Sequence, residues 1–117
     1  MIKGIGTDIV EIDRIKEAVR HHSGKFLEKV YTKQEIEYCG GRKKLKYPEL
    51  AVRFAAKEAY SKAIGTGLKG IRLKAIEIVN NSNGKPHIAL EGKVAGNVHV
   101  SLSHSQKYAV ASVVIEE

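Results

Sequence analysis

Three short segments carry residue types that could do chemistry. In the first, Gly4-Ile5-Gly6-Thr7-Asp8, two glycines leave one side of a predicted strand bare. Asp8 follows on that same side, because side chains alternate along a strand. A bare side admits either a ligand or a second backbone close to the strand. Asp8 could equally cap the helix predicted after it, so this segment alone leaves both interpretations open.

The second segment is Arg53-Phe54-Ala55-Ala56-Lys57-Glu58-Ala59-Tyr60-Ser61-Lys62. Glu58 and Lys62 are four residues apart, so they share one face of a helix. A surface ion pair, worth about 0.3–0.5 kcal/mol, would be the ordinary explanation. The alanine-rich sequence instead predicts a helix buried by its neighbours, where charged side chains need a partner. Lys62 also precedes Gly65-Thr66-Gly67, and a lysine beside such a loop can hold a phosphate.

The third segment, Val100-Ser101-Leu102-Ser103-His104-Ser105, places a histidine at the end of a predicted strand. His104 could act as an acid or base or contact a phosphate, or it could be a solvent-exposed turn residue. A serine hydrolase is disfavoured, because the sequence has no G-x-S-x-G elbow. Ser103 and Ser105 also point away from His104 along the strand.

The elements that must position these segments follow from periodicity and turn signals. The early chain predicts a strand to about Val10, a helix over 11–22 and a short helix or turn over 26–31. Thr32-Lys33-Gln34-Glu35 has the form of a capping box, and a long helix should run from Pro48 to Ile64. The later chain predicts strands over 71–79, 86–90, 98–103 and 108–115, with a helical turn over 91–96. We therefore expect one α+β domain over 1–117, with an antiparallel sheet, a long central helix and shorter N-terminal helices.

The composition favours some classes of function over others. Twenty Lys and Arg stand against 13 Asp and Glu, a formal net charge of +7 that favours an anionic partner. Aromatic residues make up only 6% and do not alternate with the basic ones, which disfavours nucleic acid. No apolar run approaches the roughly 20 residues that span a membrane, and a lone Cys39 suits a reducing cytoplasm. A non-catalytic protein that binds acidic partners is the rival, but it leaves Asp8, Glu58 and Lys62 unexplained.

Taken together, the segments resemble holo-acyl-carrier-protein synthases, the short bacterial class of 4′-phosphopantetheinyl transferases. The resemblance runs from end to end and is most specific in the ten-residue block from Arg53 to Lys62. It also includes Gly4-Ile5-Gly6-Thr7-Asp8-Ile9 with Glu11 and Arg14, Gly65-Thr66-Gly67, Asn83-Gly84-Lys85-Pro86, and Val100-Ser101-Leu102-Ser103-His104.

The resemblance implies transfer of 4′-phosphopantetheine from coenzyme A to a serine of apo acyl carrier protein, in support of fatty acid biosynthesis. It implies that Asp8 and Glu58 bind Mg²⁺, for which carboxylates, water and phosphate oxygens are preferred ligands. Lys62 would clamp a phosphate. Glu58, directly or through water, is the first choice of general base, and His104 is the second, with a phosphate contact equally open to it.

The resemblance also assigns binding roles. The residues expected to contact coenzyme A are Arg53, Lys62, Gly65, Gly67, Gly84, Lys85, Pro86 and His104. The basic residues expected to receive the acidic carrier protein are Arg14, Arg20 and Lys25. The family is trimeric, so a homotrimer with each active site between two subunits is implied.

Overall fold

A ten-residue strand, β1 (Ile2–Glu11), opens the chain and leads directly into helix α1 (Ile12–His22). The computed structural model describes residues 1–22, 24–65 and 72–117. The remaining elements are, in order, α2 (Gly24–Val30), α3 (Lys33–Tyr38), α4 (Tyr47–Ala63), a 3₁₀ turn (Leu73–Ala75), β2 (Ile76–Asn80), β3 (Pro86–Leu90), β4 (Lys93–Val94), β5 (Val98–His104) and β6 (Tyr108–Glu116). No helix in these ranges is long and apolar enough to cross a membrane.

The strands form two three-stranded antiparallel sheets, with the orders β1-β6-β5 and β2-β3-β4. The α+β class and the long central helix are confirmed. The expectation of one sheet is corrected to two, and β1 joins the first by pairing with the C-terminal strand β6. The meander β2-β3-β4 forms the second sheet, in which β3 contacts β5 of the first. Helix α4 packs against both β1 and β6.

Two glycines of β1 explain how closely α4 approaches the first sheet. A Cβ atom at Gly4 would lie 2.0 Å from the backbone oxygen of Ala63, and one at Gly6 would lie 1.9 Å from that of Ala59. Both alanines are buried on the side of α4 that faces the sheet. The bare side of the strand therefore admits a second backbone rather than a ligand at these two positions.

We expect Gly6→Ala to lower the free energy of unfolding by about 3 kcal/mol, the upper part of the range for overpacking, because the helix backbone must move. Urea denaturation followed by circular dichroism would measure this change. Gly96→Ala is the matched control, since an added Cβ there meets nothing within 4 Å. Equal urea midpoints for the two variants would contradict this account of the β1–α4 contact.

Local signals at the helix ends are confirmed. The Thr32 side chain accepts the backbone N–H of Glu35, whose carboxylate accepts the N–H of Thr32 in return. A proline stands in the first turn of α4, and Gly65 follows that helix with a left-handed φ of 86°.

Two local predictions are corrected. The strand expected over 71–79 begins later, because a 3₁₀ turn occupies Leu73–Ala75 before β2 begins at Ile76, while position 71 lies outside the described residues. The helical turn expected over 91–96 is instead a tight turn followed by β4. Glu91 and Gly92 both have positive φ, 50° and 84°, a pattern that suits a two-residue hairpin turn.

Candidate active site

A cavity of about 400 Å³, here called the carboxylate cavity, lies between β1 and α4. Asp8 of β1 and Glu58 of α4 both line it. The two residues are 50 positions apart in sequence, and the close β1–α4 contact brings them together. Its other lining residues are Ile9, Val10, Arg14, Ile15, Ala18, Phe26 and Phe54.

Asp8 is a strand residue and not a helix cap. It pairs across the sheet with Ala111, and β1 continues for three more residues before α1 begins at Ile12. Its side chain is only 17% exposed. The capping alternative is therefore wrong, and the partly buried carboxylate requires another explanation.

Lys62 reaches across to β1. Its Nζ donates to Oδ1 of Asp8 and to the backbone oxygen of Thr7, each at 3.0 Å. Within the described ranges, Asp8 is the carboxylate that pairs with Lys62. The alternative of a simple Glu58–Lys62 surface pair is therefore wrong, and a positive side chain lies beside the Asp8 carboxylate.

The two carboxylates repel each other. Burial raises the pKa of Glu58, the nearby Asp8 raises this pKa further, and Lys62 opposes the shift. Such a pair of like charges in one partly buried site is suited to a bound cation. The described parts of the chain hold no group of three or more His, Cys, Asp and Glu side chains placed to bind a metal. Two protein carboxylates suit Mg²⁺, which usually keeps several waters and takes further oxygens from phosphates.

A second cavity of about 440 Å³, here called the arginine cavity, lies beside β5. It brings together four residues predicted to bind coenzyme A: Arg53, Gly84, Lys85 and Pro86. Gly84 has a φ of 85°, and the Asn81 side chain accepts the backbone N–H of Lys85 at 3.0 Å to hold this turn. The other lining residues are Tyr38, Glu49, Asn80, Val100, Ser101 and Leu102.

The two cavities lie on opposite sides of one chain. Residues of β1 line the carboxylate cavity and residues of β5 line the arginine cavity. These are the two edge strands of the first sheet, and β6 lies between them. Glu58 and Arg53 are five residues apart on α4, which places them about 140° apart around the helix axis. One copy of the chain therefore does not combine both groups of predicted residues in a single site.

The remaining predicted residues are distributed as follows. His104 is exposed at the end of β5, where its Nδ1 lies 3.2 Å from the Ser105 backbone oxygen, and it lines neither cavity. Gly65 is exposed after α4, and Gly67 lies outside the described residues. Arg14 lines the carboxylate cavity, whereas Arg20 and Lys25 are exposed on α1 and α2 and do not.

A fully buried ion pair between Lys57 and Glu35 was not predicted. Lys57 donates to Glu35 at 2.7 Å and to the backbone oxygens of Val30 and Leu73, so its three N–H groups all have acceptors. Burial lowers the pKa of Lys57 and Glu35 opposes that shift. The second Glu35 oxygen accepts the N–H of Ile78 at 2.9 Å. This network joins α2, α3, α4, the 3₁₀ turn and β2.

Residues 4–113 match the family model described as the 4′-phosphopantetheinyl transferase superfamily. The match spans most of the chain and includes the strand that carries Asp8 and the helix that carries Glu58 and Lys62. The chain therefore belongs to this superfamily.

Within this superfamily, the chain is most informatively compared with holo-[acyl-carrier-protein] synthases. The holo-[acyl-carrier-protein] synthase of Ruminiclostridium cellulolyticum is 51% identical over 120 residues, covering 95% of this chain and 90% of the relative. The crystal structure of the Bacillus anthracis holo-(acyl-carrier-protein) synthase in complex with CoA (3′,5′-ADP) is 41% identical, with a TM-score of 0.83 and coverage of 100% and 98%. The Helicobacter pylori holo-[acyl-carrier-protein] synthase in complex with coenzyme A is 32% identical, with a TM-score of 0.83 and coverage of 96% and 99%. These relatives are similar to the chain over nearly its whole length.

Proposed function

We propose that this transferase moves the 4′-phosphopantetheine group of coenzyme A onto a serine of apo acyl carrier protein and releases adenosine 3′,5′-bisphosphate. The observation that carries the proposal is the carboxylate cavity, where Asp8 and Glu58 come together with Lys62 beside them. Coenzyme A is the ligand named for the Helicobacter pylori relative. The product is a holo carrier protein for fatty acid biosynthesis.

Asp8 and Glu58 would hold Mg²⁺. Bound there, it would neutralise the charge that develops on the pyrophosphate during in-line displacement. Lys62 would bind an adjacent phosphate oxygen. Glu58, directly or through water, would accept the proton of the attacking serine hydroxyl. His104 is the second candidate for that proton and an alternative phosphate contact, with Gly65 and Gly67 leaving room for the pantetheine arm.

The enzyme would act as a homotrimer with each active site between two subunits. Two observations support this arrangement. The side of the first sheet opposite α4 exposes large apolar side chains, with Ile5 and Ile9 each 63% exposed and Tyr108 47% exposed, as in an association surface. The carboxylate cavity and the arginine cavity also lie on opposite sides of a copy. Coenzyme A would therefore extend from the arginine cavity of one subunit to the carboxylate cavity of its neighbour.

The acidic carrier protein would dock on the basic residues near the carboxylate cavity. Arg14 lines that cavity, and Arg20 and Lys25 are exposed on α1 and α2. Charge complementarity of this kind mainly raises the association rate and fixes orientation, and it weakens with salt. The serine would then approach the pyrophosphate from the side of α1.

We expect Arg14→Glu to raise the KM for the carrier protein about tenfold or more, because a favourable contact becomes a repulsive one. The KM for coenzyme A should change far less. Steady-state assays with each substrate varied in turn would measure both constants. Lys93→Glu, the same charge reversal on an exposed β4 residue, is the control. Equal effects of Arg14→Glu on the two KM values would contradict the docking role.

The direct test of the function is the mass of an apo carrier protein after incubation with the enzyme, coenzyme A and Mg²⁺. We expect a gain of one 4′-phosphopantetheine group on a serine, and no gain when a chelator removes the metal. An unchanged mass with all components present would overturn the proposed function, whereas a gain that survives the chelator would overturn only the metal requirement.

The whole chain, 1–117, would act as one transferase domain in the cytoplasm. The buried free thiol of Cys39 supports a reducing setting. Burial raises the pKa of this thiol to about 11, which keeps it protonated and unreactive.

A further inference from the structure

The Arg53 guanidinium is held on several sides at the wall of the arginine cavity. The residue is only 1% exposed. Its Nη2 donates to the side-chain oxygen of Asn80 at 2.7 Å, and its Nη1 donates to the backbone and side-chain oxygens of Glu49 at 3.2 and 3.4 Å. The Tyr38 ring covers the guanidinium, with its centroid 4.3 Å from the central carbon.

One nitrogen of this guanidinium is left without a partner among the described residues. The Nε of Arg53 is buried and has no hydrogen-bond partner within the described parts of the chain. An unpaired buried donor on a charged group is costly, so a site that keeps one is suited to a ligand acceptor. Arg53 and Lys85 give this cavity two cations against the single carboxylate of Glu49, which favours an anionic acceptor.

Asn80 connects this guanidinium to the adjacent turn. Its side-chain oxygen accepts from Arg53, and its side-chain nitrogen donates to the backbone oxygen of Gly84 at 2.9 Å. One amide thus fixes Arg53 relative to the turn that carries Lys85. Tyr38 is 50% exposed, so its position over the guanidinium is not explained by core packing alone.

We infer that Tyr38 and Asn80 are positioning residues that orient Arg53 at the wall of the arginine cavity for the 3′-phosphate of coenzyme A. The inference rests on the proposed function. Coenzyme A carries a pyrophosphate and a 3′-phosphate, and the bond that breaks lies in the pyrophosphate. That group must therefore lie at Asp8, Glu58 and Lys62, which leaves the 3′-phosphate for the basic arginine cavity. An arginine binds phosphate well only when its planar fork is correctly oriented.

The test compares coenzyme A with 3′-dephospho-coenzyme A as substrates. Wild-type enzyme should have the lower KM for coenzyme A. Tyr38→Leu and Asn80→Leu should each raise the KM for coenzyme A about tenfold, as when a hydrogen bond to a charged group is weakened, and leave that for the dephospho compound nearly unchanged. The kcat should fall far less than KM rises. Tyr38→Phe keeps the ring over the guanidinium, so its KM for coenzyme A should stay much closer to the wild-type value than that of Tyr38→Leu.

A double-mutant cycle separates positioning from direct contact. In an Arg53→Lys background, which lacks the planar fork, Tyr38→Leu should have no further effect on the ratio of the two KM values. Two results would overturn the inference and leave the transferase function intact. One is that Tyr38→Leu changes the ratio of the two KM values as much in the Arg53→Lys background as in the wild type. The other is that Tyr38→Leu and Asn80→Leu both keep the wild-type ratio. Absence of transfer by the wild-type enzyme would instead overturn the proposed function, and this inference with it.

Discussion

Replacing Asp8 or Glu58 by alanine should lower the rate of phosphopantetheine transfer about a thousandfold or more, the largest effect expected of any substitution here. Each variant removes one of the two carboxylates that line the same cavity. The remaining carboxylate, with Lys62 beside it, cannot bind a divalent cation well. The mass assay at saturating Mg²⁺ and coenzyme A would measure the loss.

Assembly should survive these substitutions, because neither side chain belongs to the exposed apolar face of the first sheet. Light scattering would confirm an unchanged mass of the oligomer. Asp13→Ala is the matched control, since Asp13 is an exposed carboxylate in the first turn of α1 and should have little effect on transfer. Near-normal turnover of both the Asp8 and Glu58 variants would show that the metal assignment is wrong.

If the enzyme forms the proposed trimer, Ile5→Glu should convert it into monomers and lower transfer at dilute protein concentration about a hundredfold or more, since assembly follows mass action. Ile5 is 63% exposed, lies opposite Val114 and faces away from α4. A carboxylate in the centre of an apolar interface is costly to bury. Analytical ultracentrifugation would measure the mass, and the same samples would be assayed for transfer.

Val94→Glu is the matched control for this variant. Val94 is 57% exposed, but it lies on β4 of the second sheet. This variant should therefore keep both the proposed trimer and the activity. A monomeric Ile5→Glu enzyme with wild-type turnover would show that one copy contains the whole active site.

Local features were predictable from the sequence because their causes are local. The capping box at Thr32 and Glu35 and the alanine face of α4 depend on spacing alone, and both are confirmed. The sequence could not decide what covers the bare side of β1. Helix α4 packs on Gly4 and Gly6 from more than 50 residues away, and only the fold shows that contact.

Other features depend on tertiary contacts or on unusual backbone conformations. Glu35 is fully accounted for by its capping role, so nothing in the sequence marked it as the buried partner of Lys57. Glu91 has a positive φ that glutamate rarely adopts, and the tight turn before β4 was missed for that reason. Tyr38 and Asn80 belong to no motif, and their relation to Arg53 appears only when α3, α4 and β2 pack together.

The sequence predicted which residues belong to the candidate site better than it predicted how they are arranged. The resemblance named Asp8, Glu58, Lys62, Arg53 and the turn at Gly84. The folded chain places Asp8 and Glu58 in one cavity, with Lys62 beside Asp8, and Arg53 and the turn in another on the opposite side. Spacing along the sequence cannot reveal such a division, because it depends on which flank of α4 and which edge of the sheet each residue occupies.

Subunit mixing tests most directly whether one active site combines the two cavities of different copies. One variant would carry Glu58→Ala, and the other would carry Arg53→Met with Lys85→Glu. Each alone should be inactive at limiting coenzyme A. The two variants would then be mixed in equal amounts, dissociated and reassembled. With random pairing, about a quarter of the active sites between subunits should combine an intact carboxylate cavity from one subunit with an intact arginine cavity from its neighbour, and these should be active. Transfer activity that stays at the level of the separate variants, in mixed trimers verified by native mass spectrometry, would contradict the account.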